Sequence, residues 1–197
     1  MPLNISILKE IIILIMGPVF QVFAYFILLK IMPDQIESIK LYHYSILIFN
    51  LLPVYPLDGG KLVNLFFSLK FSFKNSFYLE IFISYLMVFL LVIVNRENIN
   101  INLLIIVIFL LYKITKEYKQ IELFYNKFLL ERYINKYNFK RSIIIDNINK
   151  FHRNKRHLVK TANKYYLEDE ILKKIYKNRW HIKICYAIIL LLTEIIG

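Results

Sequence analysis

Cysteine and acidic residues are scarce in this 197-residue sequence, and each shortage excludes a class of protein. The single cysteine, Cys185, cannot form an internal disulfide and belongs to no Cys/His spacing that binds a metal. The 14 Asp and Glu residues are outnumbered by 26 Lys and Arg residues, which leaves a formal net charge of +12. The first nine residues, MPLNISILK, lack the charged region and cleavage site of a removable signal peptide. We expect neither a disulfide framework nor a cleaved leader.

Hydrophobic residues, by contrast, make up 58% of the chain, well above the roughly 45–50% that is typical of soluble domains. A soluble core of this size could not bury that fraction. Ile, Leu and Phe also occur in long uninterrupted runs, which are typical of helices that face lipid. The composition therefore indicates a membrane protein.

Four apolar segments are predicted to span the membrane: residues 11–29, 41–52, 77–94 and 101–114. The second is the least hydrophobic, because its first half is polar and aromatic. It is followed by Pro53, Pro56 and the sequence DGG at 58–60, which disfavour a continued helix. Irregular backbone at membrane depth is tolerated only where protein buries it or where it lines a cavity. This break therefore predicts the position of a site.

The excess positive charge lies in one segment. Residues 113–183 contain 19 Lys and Arg and 7 Asp and Glu, whereas the rest of the chain contains seven of each class. The positive-inside rule places such a segment in the cytoplasm, where anionic lipid head groups also attract it. With four spans, the N-terminus is then cytoplasmic as well. We favour this interpretation over nucleic-acid binding, since no nucleic-acid-binding fold is recognisable.

The basic tail is predicted to contain a helix over roughly 115–136, a charged helix over 167–178 and three strand-like segments, SIIID, HLVK and KYYL. The terminal run 184–196 has 13 residues and contains Glu194, and we interpret it as interfacial or packed, with a fifth span as the alternative. The predicted fold is an all-α multi-pass membrane protein of about four transmembrane helices with a small α+β cytoplasmic tail. Its expected parts are a membrane core (1–114), a basic cytoplasmic tail (115–183) and an apolar interfacial end (184–197).

The most informative motif lies in the segment 44–68, YSILIFNLLPVYPLDGGKLVNLFFS. Asn50, Pro53, Asp58 and Gly59 match an Asn-x-x-Pro-x-x-x-x-Asp-Gly pattern, through which the chain resembles the site-2 family of intramembrane zinc metalloproteases. The resemblance is closest to the sporulation branch of that family, which processes a sigma-factor precursor. Weaker matches are the tail segment YNKFLLERYINKY at 125–137 and the Gly-Pro pair at 17–18.

The resemblance implies a role for each residue of the motif. Asp58 would be the carboxylate ligand of a catalytic zinc, which needs three protein ligands and one open position. Asn50 would donate its amide to the substrate or to the oxyanion, while Pro53 and Gly59 would shape the turn. The residues alone leave two alternatives open. Asp58 could be a helix N-cap, and Asn50 could form a hydrogen bond between helices.

The sequence has no HExxH motif, whose two histidines and glutamate complete the zinc site in this family. His152 and His157 stand five residues apart among Lys and Arg, which predicts solvated basic surface. His43 could face a polar cavity, and Glu80, near the end of a span, is expected to snorkel or to form an interfacial pair. The missing part is an N-terminal hairpin of two spans, so the chain is expected to match the C-terminal part of such a protease.

Two functions of different classes follow from the resemblance. The first is a membrane-embedded zinc metallopeptidase that cleaves transmembrane or membrane-associated proteins, with the single zinc ligand Asp58 in this chain. The alternative is a catalytically inactive membrane protein that binds or regulates such partners. Both interpretations place the chain in the cell membrane, with a membrane protein substrate or a regulatory membrane partner and no nucleic acid.

Overall fold

The computed structural model describes residues 7–97, 100–135, 137, 139, 141–161 and 164–177. The predicted terminal run 184–196, with Cys185, and also His181 lie outside the described residues. Within the described part the regular elements follow in the order α1 (Ile7–Ile31), α2 (Ile36–Leu51), α3 (Asp58–Lys70), α4 (Phe73–Val94), α5 (Ile101–Ile134), β1 (Ser142–Ile145), β2 (Arg156–Lys160), β3 (Tyr165–Leu167) and α6 (Glu168–Lys177). Short 3-10 helices occupy Pro33–Gln35 and Ile148–Lys150.

The chain divides into two compact units. The helical unit lies within Ile5–Phe71 and Asn75–Ile121, and the tail unit consists of Ser72–Lys74 and the described residues from Glu122 onward. The structure is mostly helical with a small sheet in the tail, which confirms the predicted class of fold in this coarse form. Each unit has its own core.

Two helices within the described residues are long and apolar enough to cross a membrane, over Lys9–Ile31 and Phe73–Val94. They contain the first and third of the four predicted spans. The second predicted span lies in α2, whose 16 residues measure only about 24 Å. The fourth is the beginning of α5, a 34-residue helix that continues without interruption into the predicted tail helix. The count of four spans therefore stays a prediction.

The core of the helical unit is formed by the turn after α2 and by the facing sides of α4 and α5. Its buried apolar residues are Val54, Ile81, Val88, Leu110, Ile114 and Ile121. Helices α1 and α2 are joined through His43, whose ring stacks on Tyr25 at 4.3 Å between centroids. The Gln21 side-chain amide also donates to the His43 carbonyl at 3.1 Å.

The tail unit contains a three-stranded sheet in the order β1-β2-β3. Strand β1 pairs in parallel with β2, and β2 pairs antiparallel with β3. All three strands fall on the predicted strand-like segments, and α6 falls on the predicted charged helix. The ring of Phe73 stacks on the fully buried Phe128 at 4.3 Å, and the Phe73 N–H donates to the Phe151 carbonyl at 2.8 Å. Aromatic side chains therefore form the centre of the core of the tail unit.

Candidate functional site

The turn between α2 and α3, residues 52–57, carries the predicted site residues at its two ends. Helix α2 ends at Leu51, because Pro53 has no N–H and disfavours helical backbone in the residue before it. Helix α3 begins at Asp58. The peptide bond between Tyr55 and Pro56 is cis. The turn thus separates Asn50, in the last turn of α2, from Asp58, in the first turn of α3.

The two glycines after Asp58 let α3 pack directly on the backbone of this turn. A β-carbon on Gly59 would lie 2.2 Å from the carbonyl oxygen of Leu51 and 2.3 Å from that of Leu52. A β-carbon on Gly60 would lie 2.6 Å from the carbonyl carbon of Val54. Real side chains do not tolerate such distances, because backbone atoms cannot move aside as a flexible side chain can. The sequence DGG is therefore a packing requirement of the turn.

Asp58 lies at the first helical position of α3, with about a third of its side chain exposed (31%). Its Oδ1 is 3.4 Å from the Lys61 ammonium. A β-carbon on Gly17 of α1 would lie 3.4 Å from its Oδ2, so the carboxylate faces the α1 backbone at the Gly-Pro pair. Leu57 occupies the N-cap position and no side chain caps the helix, so the N-cap alternative for Asp58 is wrong.

Asn50 and Pro53 are both half-buried. Within the described part of the chain, no hydrogen bond involves the Asn50 side chain, so the alternative of a hydrogen bond between helices is not realised there. An amide in this position keeps its donors available. The structure brings Asp58, Gly59 and Gly17 together, and it leaves Asn50 at the other end of the turn.

Glu80 differs from the expectation of a snorkelling or interfacial side chain. It is only 3% exposed, and its Oε2 accepts a hydrogen bond of 2.7 Å from the Asn64 amide. Helix α4 packs this face inward because Ser76, Glu80, Ser84 and Val88 recur at a spacing of four residues, and all four are buried. That spacing of small and polar residues in an apolar helix is the sequence signal for the cluster.

Two further polar groups of the helical unit are buried near this cluster. Glu117 of α5 is 6% exposed and lies close to the Tyr55 side chain. Ser84 is fully buried, and its hydroxyl accepts from the Tyr55 N–H at 2.9 Å. Neither Glu117 nor Ser84 belongs to the motif, so the sequence pattern did not identify them.

The described residues do not by themselves fit a zinc ion. They contain no group of three His, Cys, Asp or Glu side chains that could hold a metal. Asp58 supplies one carboxylate, and its neighbours Lys61 and Gly17 offer no second ligand. Since a catalytic zinc takes three protein ligands, two more must come from another segment if this aspartate binds one.

His157 contradicts the expectation of a solvated basic surface. It is fully buried, its Nε2 accepts from the His152 N–H at 2.8 Å, and its Nδ1 lies 2.9 Å from Glu168 Oε2. The acceptor role of Nε2 places the proton of the neutral ring on Nδ1, which donates to Glu168. His152 is half-buried. The two histidines therefore belong to the interior of the tail unit.

Arg132 is the centre of this interior network. Its side chain is 1% exposed and donates to Glu168 Oε1 at 2.7 Å. It also donates to three carbonyls of the connection between β1 and β2, at His152 and Arg153 (2.8 Å each) and at Lys155 (3.1 Å). A planar guanidinium has the five donors that such an arrangement needs. The network fixes the connection onto the end of α5.

The network shifts the pKa of its titratable members. Burial lowers the pKa of His157, against the opposing hydrogen bond to Glu168. Burial, followed by the charge of Lys155, lowers the pKa of His152 to about 4. Burial raises the pKa of Glu168, but the His157 hydrogen bond and the Arg132 charge outweigh it, and the net pKa is lowered. At neutral pH the network therefore holds a carboxylate, a guanidinium and neutral imidazoles.

The fold and the turn define a helical protein with membrane-type helices and an Asn-x-x-Pro-x-x-x-x-Asp-Gly turn between two of them. No family model matches the chain. The sequence is 32% identical over 141 residues to Stage IV sporulation protein FB of Bacillus subtilis (strain 168). The match covers 68% of this chain and 49% of that protein, so the chain spans about half the length of this curated relative. The similarity supports the resemblance to the site-2 protease family and, together with the two apolar helices, a membrane location.

Proposed function

We propose that this chain is the aspartate-bearing part of a site-2-type intramembrane zinc metallopeptidase, which cleaves transmembrane or membrane-associated proteins in the cell membrane. The turn at 52–57 carries the proposal, since it presents a partly exposed Asp58 beside the α1 backbone and satisfies the family pattern at every specified position. The similarity to the sporulation protein supports the same family. Both termini are proposed to be cytoplasmic.

A complete zinc site needs two histidines from an HExxH helix, which the 197 residues do not contain. In this proposal Asp58 contributes the carboxylate ligand, Asn50 contributes its amide to substrate or oxyanion, and Pro53 and Gly59 shape the turn. Zinc, when bound, supplies a polarised water at neutral pH. In this proposal the chain itself supplies the anionic zinc ligand, Asp58, and the amide donor to the substrate, Asn50.

The test is a reconstitution in membranes. The chain is co-expressed with the HExxH spans of a site-2 protease, together with a tagged membrane protein as the reporter of cleavage. Asp58→Asn keeps the size of the side chain but removes the ligand charge, so we expect loss of cleavage and of bound zinc. The matched control is Asp34→Asn, an exposed aspartate outside the turn. Cleavage and zinc content that survive Asp58→Asn would contradict the proposal.

Asn50→Ala separates the second role from the first. If the amide donates to the oxyanion, its removal should leave zinc bound and lower turnover by about 10²–10³-fold. The control is Asn95→Ala, since among the described residues the Asn95 amide donates to one acceptor, the Leu91 carbonyl of the preceding helix α4. Equal turnover in the Asn50 variant and in the control would remove Asn50 from the active site.

A second function is favoured by the surroundings of Asp58. Among the described residues its charged partner is Lys61, and no group of three potential ligands accompanies it. A catalytically inactive protein that binds or regulates a transmembrane partner is consistent with both facts. It predicts that a transmembrane protein co-purifies with the chain without stoichiometric zinc. Tightly bound zinc with peptidase activity in the isolated chain would eliminate this alternative.

A further inference from the structure

We propose that Ser84 and Glu80 of α4, together with Asn64 of α3, are positioning residues that hold the turn at 52–57 and thereby fix the place of Asp58. The inference rests on the proposed function, because it assigns the purpose of the tether to the site that Asp58 forms. The three side chains are at most 7% exposed. None of them belongs to the sequence motif.

Every backbone N–H group of the turn has a hydrogen-bond acceptor. Pro53 and Pro56 have none, which leaves four donors between residues 52 and 57. Three of these donate to carbonyl oxygens nearby in the chain. The N–H of Leu52 donates to Phe49, that of Val54 to Leu52, and that of Leu57 to Val54. The fourth, at Tyr55, donates to Ser84 Oγ on α4 at 2.9 Å. One backbone hydrogen bond therefore ties the turn to another helix.

Ser84 is suited to this bond because it also has a fixed donor direction. Its hydroxyl donates to the Glu80 carbonyl at 2.8 Å, one turn earlier in α4, and so turns its lone pairs toward the Tyr55 N–H. The side chain is fully buried. Without the hydroxyl, the Tyr55 N–H would lose its partner in an apolar core, which costs more than the loss of an exposed hydrogen bond.

The second tether holds the other side of Asp58. The Asn64 amide of α3 donates to Glu80 Oε2 at 2.7 Å, and both side chains are buried. Asp58 lies in sequence between the tethered residues Tyr55 and Asn64, and its own side chain contacts only the half-exposed Lys61 as a charged partner among the described residues. Its position is thus set by the two tethers on one face of α4.

The test measures the geometry of the turn without zinc or activity. In a Cys185→Ser background, Gly17→Cys and Asp58→Cys place two thiols where the glycine β-carbon and the carboxylate are in ordinary contact. The rate of oxidative cross-linking in membranes reports how often the turn keeps this position. We expect Ser84→Ala to lower the rate about five- to tenfold, because one buried hydrogen bond is lost.

Four further variants make the comparison specific. Ser68→Ala removes a hydroxyl that is also buried but, within the described part of the chain, donates to the Leu65 carbonyl of its own helix alone, so the rate should stay unchanged. Ser84→Thr keeps the hydroxyl and should restore most of the rate. At Glu80, substitution by Gln should preserve the acceptor for Asn64, whereas substitution by Leu should slow the cross-link. Equal rates in Ser84→Ala and Ser68→Ala would overturn the proposal.

A second cysteine pair separates a local tether from general unfolding. Tyr25→Cys and His43→Cys replace two stacked rings of α1 and α2, and their cross-link should be insensitive to Ser84→Ala. Loss of both cross-links would overturn the inference. In a reconstituted enzyme, Ser84→Ala should lower kcat and leave KM unchanged. The cross-link needs no HExxH partner. A reconstituted enzyme that does not cleave its reporter therefore contradicts only the proposed function. An unchanged cross-linking rate in Ser84→Ala, when the reconstituted enzyme does cleave, contradicts only the tether.

Discussion

The helical unit and the tail unit both bury charged or polar side chains, but they satisfy them in different ways. In the helical unit, Glu80 receives a single amide hydrogen bond from Asn64, and Ser84 provides one acceptor for the turn. In the tail unit, Arg132 donates to one carboxylate and three carbonyls and lies beside a neutral imidazole. In the helical unit, a few isolated hydrogen bonds hold one turn in place. In the tail unit, a charged group with all its hydrogen bonds satisfied holds several segments together.

The largest effect is expected from Arg132→Met. The substitution leaves Glu168 buried without its cation and three carbonyls without a donor. We therefore expect the free energy of unfolding of the tail unit to fall by about 3–5 kcal/mol. Hydrogen exchange of peptides covering β1 and β2 in the full chain measures this loss. The control Arg156→Met removes a half-exposed pair with Asp169 and should cost less than about 1 kcal/mol. Similar exchange in the two variants would deny Arg132 its central role.

The helical unit should be most sensitive at Gly59. Gly59→Ala brings a methyl group against two carbonyl oxygens, and we expect the free energy of unfolding to fall by about 1–3 kcal/mol. Thermal unfolding of the detergent-solubilised chain measures this change. Gly17→Ala meets Asp58 at an ordinary contact distance of 3.4 Å and should be tolerated. If both alanines cost the same, the packing of α3 on the turn is looser than the structure indicates.

The stability of the tail unit should also depend on pH. The pKa of His152 is lowered from 6.5 to about 4 in the folded chain, so the unfolded chain binds more protons between these values. Stability therefore falls as the pH drops from about 6.5 toward 4. Below the ordinary pKa of a glutamate, protonation of Glu168, whose pKa is lowered, adds to the loss.

Hydrogen exchange of β2 measured between pH 7 and pH 4 tests this dependence. His152→Gln should reduce the slope, and so should His157→Gln, because burial lowers the pKa of both rings. His43→Gln, in the helical unit, should leave the slope of the tail unit unchanged. A slope that persists in the double variant of His152 and His157 would assign the pH dependence to other groups.

The smallest effects are expected at two lysines. Lys74, with 11% of its side chain exposed, lies 2.6 Å from Glu122 and 4.6 Å from the centre of the Tyr125 ring. Lys74→Met should cost about 1 kcal/mol by the loss of both contacts. Lys61→Met removes a half-exposed pair with Asp58 and should cost less than about 0.5 kcal/mol. Unfolding in denaturant ranks the two variants, and the reverse order would be evidence against the difference between the units.

The elements that local pattern decides were predictable from sequence. The three strands lie on short segments of β-branched, aromatic or other apolar residues, α6 lies on a charged segment, and α1 and α4 lie in the two longest apolar runs. The break at Pro53 and Pro56 was predicted because proline acts on its immediate neighbours. The predicted fourth span (101–114) and the predicted tail helix (115–136) abut, and in the structure they form one helix, α5, since a change from apolar to charged composition does not end a helix.

The polar interior depends on contacts between distant segments, and there local sequence misled. His157 is surrounded by Arg and Lys in sequence, but the pairing of β2 with β3 brings it to Glu168, 11 residues later. Glu80 is near the end of the predicted span 77–94, but α4 begins at Phe73, and Asn64 of α3, 16 residues earlier, donates to the Glu80 carboxylate. The roles of Asn50, Pro53, Asp58 and Gly59 in catalysis stay predictions.

The Arg132 network also implies an order of events during synthesis. Glu168 follows Arg132 by 36 residues, and at roughly 5–20 residues per second the ribosome takes about 2–7 seconds to supply it. Residues 132–167 contain ten Lys and Arg and one acidic residue, Asp146. For those seconds the nascent tail is a polycation that lacks the carboxylate with which Arg132 pairs in the folded unit. The acidic first turn of α6, Glu168 to Glu170, then ends this exposure by closing the network.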